Sequence, residues 1–277
     1  MHAILALAAA HLKATHTAHQ DYTERELQYQ SAAIKGLRSA LAGGITKENS
    51  DAILAGSLLL YHHTWTTADD DNLDLTANFP CALIDLIPIG TCIRGMFMEK
   101  LLTRTSRWQE AMAYSPRIAL MLSVEDTTVP QELEEAFKKQ YLLVRRDGLD
   151  SWQYDTFMTE CRRLIPVMSV LKLRDRGLLD IKSIIASIVR YLFTWPILLT
   201  EGFFEMETQG DSLAHLVLFH FFTTVARSGI ESMWWAHRRT RFTLERLSRD
   251  FDESGLQILD MFASPHAPGE HYHDAQI

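Results

Sequence analysis

Apolar residues recur at helical spacing along most of this chain. Leu27, Ile34, Leu37 and Leu41 stand at steps of seven, three and four, with Glu, Gln, Lys and Arg between them, and so predict one apolar face of an amphipathic helix. Gly43-Gly44 should end that helix, since glycine reaches the left-handed geometry of a helix terminus without steric cost. Asn49 or Ser50 can cap the next helix, which carries Ile53, Leu54, Leu58 and Tyr61. Pro130 falls in the first turn of another, followed by acidic residues suited to the positive end of the helix dipole. Asp180 is expected to cap a helix over 181–193 and Asp211 one over 212–227. Alternating strands flanked by hairpin dipeptides are absent. The pattern predicts an all-α protein, a single helical domain of about ten helices.

Periodicity fails in two places. Residues 69–92 are Asp-rich and then interrupted by proline, as in a long connection. From residue 264 the sequence SPHAPGEHYHDAQI has no apolar period, which predicts a disordered tail over 264–277 beyond a helical domain over 1–263. No linker separates two cores and no repeat is visible. ILALAAA at 4–10 has the length of a signal core but lacks a preceding basic region, so it reads as a buried helix. No apolar run approaches the roughly 18 residues of a membrane span.

Composition narrows the function classes. At 47% apolar the chain can bury a sizeable core. A net charge of -8 opposes a phosphate-binding surface, which needs clustered Lys and Arg, so no direct nucleic-acid binding is expected. Cys81, Cys92 and Cys161 are irregularly spaced, as reduced thiols of the cytosol or nucleus would be, and cannot alone complete a four-thiolate zinc site.

The C-terminal third carries the most distinctive run. Trp195-Pro196, Phe203, Gly210-Asp211, Ala214, His220 and the pair Trp234-Trp235 follow one another across it. Together with MHAILALAAAHL at 1–12, the Ala-Ala-Ile run at 32–41 and NSDAILAGSLLL at 49–60, this order resembles the regulatory region of fungal zinc-cluster transcription factors, of the sterol uptake control type. The resemblance covers roughly residues 1–260 and is loose over about 70–180. The family's DNA-binding part is a six-cysteine zinc cluster with a basic linker, which these three cysteines cannot form. The resemblance therefore implies either the effector half of a regulator or a free-standing descendant put to other use. MHAILALAAAHL begins where the family's first regulatory helix follows other sequence, so truncation of a longer regulator is one reading.

Aromatic residues crowd the same stretch, and helices of that kind often enclose an apolar cavity. The sterol-responsive members imply a hydrophobic-ligand pocket there, with Trp195, Phe203, Phe222, Trp234 and Trp235 as candidate lining residues, and self-association of the chain. After the Trp pair the sequence departs from the family, with Ala-His-Arg-Arg in place of small residues.

A second function class rests on Asp70, Asp71 and Asp74, a DDxxD pattern after a hydrophobic helix. It resembles the magnesium-diphosphate motif of terpene cyclases, where hard oxygen ligands suit Mg²⁺. Asp147, Ser151 and Asp155 have the spacing of a second such motif, with Gly148 inside it. The commoner fate of an acidic cluster is a solvated loop, and no cofactor is expected on that reading. His215 and His220 are five apart and so do not share a helix face as a zinc pair would. His220 is expected to be structural, its ring satisfied inside an apolar helix. Arg238, Arg239 and Arg241 are expected to lie toward a helix C-terminus, complementing its dipole. Nucleophile elbows and phosphate loops are absent.

Overall fold

The computed structural model describes residues 1–15, 19–66, 128–145, 150–230 and 233–262, with short pieces at 90, 93–95, 120–121 and 124. Three helices open the chain: α1 (His2–Thr15), α2 (His19–Ala42) and α3 (Ser50–Thr66). After residue 127 come α4 (Thr128–Val144), α5 (Ser151–Asp175) and α6 (Ile185–Thr194). A 3-10 turn over Trp195–Leu198 leads to α7 (Glu201–Thr208), α8 (Ser212–Arg227) and α9 (Trp234–Ser254). Among the described residues there is no strand, and the elements form one helical domain.

Helix α5 is the spine of the larger group. It is buried almost continuously from Phe157 to Leu173, with α4, α7 and α8 packed around it. Helix α9 then packs against both α8 and α3, tying that group to the N-terminal helices. α1 turns Ala3, Ala6, Ala9 and Ala10 inward, and these short side chains let α2 and α3 approach its backbone closely. Each large apolar side chain removed from water in the core contributes roughly 1.5–3 kcal/mol.

The joints are held by polar groups. Asp211 caps α8 as expected, its Oδ1 accepting the Leu213 N–H at 2.8 Å. Its Oδ2 accepts from Arg145 and, at 2.8 Å, from Gln153, so one carboxylate joins α8 to the end of α4 and the start of α5. Gly210, at φ 67°, ends α7, and the Asp211 N–H reaches back to the Met206 carbonyl at 2.9 Å. Glu160, fully buried on α5, accepts the Thr200 N–H at 2.9 Å and lies 3.3 Å from the Arg163 guanidinium. The Arg163 guanidinium also donates to the Leu198 carbonyl, and Tyr191 donates to the Arg163 carbonyl, which fixes the Trp-Pro corner on α5.

Three expectations are corrected. Leu27 does not share the buried face of α2; it is 60% exposed, while the adjacent Glu26 is buried. The carboxylate of Glu26 lies 3.0 Å from His63 Nε2 on α3 and 3.5 Å from Lys13 Nζ on α1, so these polar partners set which side of α2 turns inward. Asp180 accepts the Lys182 N–H at 3.0 Å in a local turn, and the helix itself starts only at Ile185. The arginines after the Trp pair lie in the first two turns of α9, so the dipole at that end opposes them. Arg239 is buried there and donates to the Thr64 carbonyl at 2.7 Å, and Arg241 pairs with Glu245.

Candidate functional site

The aromatic residues of the C-terminal third form a connected series of rings. Trp195 lies on the 3-10 turn, its indole stacked on Phe221 of α8 with centroids 4.3 Å apart and planes 14° apart. Phe203 of α7 meets Trp195 at 6.5 Å, edge to face. On the other side Phe221 meets Phe222 at 5.0 Å, and Trp65 of α3 touches Phe221, Phe222, Phe193 and Trp235. Edge-to-face and offset arrangements of this kind follow from the ring quadrupole. Trp234 points elsewhere, toward His11 at 4.7 Å and His62 at 6.5 Å, and is only half-buried.

Trp195, Phe203, Phe222 and Trp235 are thus joined through Phe221 and Trp65, and Trp234 sits at the α1 edge. Missing from the sequence-based set are Phe221 and, at the junction of the series, Trp65. Its helix was legible, but nothing in local spacing says that position 65 meets positions 193, 221, 222 and 235.

Several buried polar atoms of α3, α9 and the Trp-Pro turn lack partners. Trp195 Nε1, His62 Nε2, Thr240 Oγ1 and Thr243 Oγ1 are buried and make no hydrogen bond. Thr240 and Thr243 continue the buried face of α9 that begins at Trp235 and Ala236. Trp65 acts on the neighbouring Tyr61 hydroxyl, but its indole N–H has no properly aligned acceptor. Tyr61 donates to the Phe193 carbonyl at 3.0 Å, and burial pushes its phenol pKa above the usual range. Burial, aided by His63 next to it, lowers the pKa of His62. An unpaired buried polar group costs about 1–3 kcal/mol, so native proteins carry few of them.

The other candidates separate from this region. His220 is structural in position, buried on α8 and edge-on to Phe137 at 5.3 Å, but its Nε2 has no partner, contrary to the expectation of a satisfied ring. Burial pushes its pKa down to about 3. Burial and the neighbouring Glu160 raise the Cys161 thiol well above its ordinary value, which makes it a poor nucleophile. Asp70, Asp71, Asp74, Asp147, Cys81 and Cys92 lie outside the described residues, as does the 264–277 tail. Ser151 and Asp155 are exposed on the first turns of α5. Among the described residues no three His, Cys, Asp or Glu side chains are grouped as metal ligands.

Residues 1–169 match the family model described as fungal specific transcription factor domain; that is more than half of the chain, and the chain belongs to that family. No curated protein and no solved structure matches it. Tyr61, His62 and Trp65 fall within the matched part, whereas α6 to α9 lie beyond it. No helix among the described residues is long and apolar enough to cross a membrane.

Proposed function

We propose that this chain is the ligand-sensing regulatory module of a fungal transcription regulator, acting in the nucleus without contacting DNA itself. Its ligand is a hydrophobic small molecule of sterol or terpenoid type, bound among α3, α8, α9 and the Trp-Pro turn. The observation that carries this reading is the set of buried, unpaired polar atoms, Thr240 Oγ1 and Thr243 Oγ1 on α9 and Trp195 Nε1 within the ring series above all. A largely apolar ligand with one or two hydroxyl or carbonyl groups would satisfy such atoms, the usual division of labour in small-molecule sites. Mass action then stabilises the liganded form, which gives a regulator its two states.

Thr243→Val and Thr240→Val test this, because valine keeps the shape and removes the hydroxyl. Titration with dehydroergosterol, read by energy transfer from tryptophan, should saturate for the wild type. One of the valine variants should bind about tenfold more weakly, the loss of one hydrogen bond to the ligand, while melting at the same or a higher temperature. Absence of saturable transfer or thermal shift, with dehydroergosterol and with a panel of sesquiterpene alcohols, would sink the proposal.

A further inference from the structure

Beyond α9 the chain runs as a strap across α4, α5 and the end of α8, without regular secondary structure over 256–260 and turning at 261–262, where the Phe262 N–H donates to Asp260 Oδ1 at 2.8 Å. Gly255, at φ 64°, turns it off α9. Gln140 of α4 is fully buried and spends both ends of its amide on the strap backbone. Its Nε2 donates to the Gln257 carbonyl at 2.8 Å, and its Oε1 accepts the Leu259 N–H at 2.6 Å. A carbonyl and an N–H two residues apart present the pairing edge of an extended strand, which one primary amide can match. Lys172 of α5 donates to the Met261 carbonyl at 3.4 Å, and the Arg227 guanidinium lies 4.5 Å over the Phe262 ring. Met261 and Phe262 are buried as anchors, while Leu256, Ile258 and Leu259 pack at the edge of the core.

No backbone hydrogen bond joins residues 257–262 to another described element. The strap is therefore held as a peptide ligand is held, by side chains that read its backbone and by burial of its two anchors. We propose that this surface is a peptide-recognition groove, filled here by the chain's own segment. Its partner in trans is an extended protein segment with two adjacent aliphatic residues and, after one acidic residue, a Met-Phe type anchor pair. The tethered strap then sets a threshold, since a covalent competitor acts at an effective concentration near millimolar.

The test uses the full chain carrying Met261→Ala and Phe262→Ala, and a fluorescein-labelled peptide GLQILDMFA. The peptide should bind this variant saturably and at least tenfold more tightly than the wild type, whose own strap competes. Adding Gln140→Leu should weaken that binding at least tenfold, and a shuffled peptide should not bind. Equal binding with and without Gln140, equal binding of the shuffled peptide, or no binding to a variant that still melts cooperatively would each overturn the proposal. Should the double variant fail to fold, hydrogen exchange of the wild type decides. Exchange of the Leu259 amide ten or more times faster than the α5 core shows a strap that opens alone. Exchange at the core rate shows one that never leaves, and overturns the groove.

Discussion

His220 shows how burial alone sets the behaviour of one side chain. Its neutral ring is edge-on to Phe137 with no ion partner, so protonation in place is opposed only by desolvation. The folded pKa, near 3, lies below the ordinary 6.5. The unfolded state therefore binds the extra proton first as pH falls. Stability is fully present above pH 6.5 and is lost as pH drops toward 3, at up to about 1.4 kcal/mol per unit from this residue. His220→Leu removes that slope together with the unpaired nitrogen. Relative to wild type, the variant should gain about 2 kcal/mol between pH 7.5 and pH 5, measured by urea unfolding. A constant difference across that range would mean that the ring is charged or hydrated in the native state.

At the scale of elements, Gly202 determines how α7 lies on α5. A Cβ at that position would stand 2.7 Å from Thr156 Oγ1, well inside van der Waals contact. Gly202→Ala should therefore destabilise by about 1–2 kcal/mol, although alanine is the better helix former. In a Thr156→Ala background the same change should become neutral or slightly stabilising, a coupling that thermal melts of the four proteins can measure. The elements were legible where local chemistry fixes them: the glycine stop after α2, Asp211 before α8 and Pro130 in the first turn of α4 all stand where spacing placed them. Other features were not local. Pro166, inside the 25 residues of α5, signals a helix break when read alone. Packing on several sides of that helix outweighs the lost backbone bond. Likewise the aromatic candidates were visible as a crowd, but their order depends on Trp65, which lies some 130 residues before Phe193 and meets it only through the fold.

Over the whole molecule, the N-terminal helices and the α5-centred group differ in what holds them. In α5 and α8 the inward side chains are large and fully buried, whereas α2 buries only Glu26 among its described residues. α2 adds only partly buried apolar side chains, Leu37 and Leu41 among them, to the small cluster around Ile53 that is separate from the main core. Its position depends on a carboxylate bridging Lys13 and His63, an attachment that loses most of its value when one partner is removed. Segments of this kind occupy the low end of the local stability range. Glu26→Ala should cost about 2–3 kcal/mol locally and raise hydrogen exchange throughout α2, and in α1 beside it, by tenfold or more. Exchange in α5 and α8 should stay unchanged, as should the midpoint of the main unfolding transition followed by tryptophan fluorescence. A uniform rise in exchange across all helices would instead show that α1 and α2 unfold only with the rest, and that the boundary between the two groups carries no independent motion.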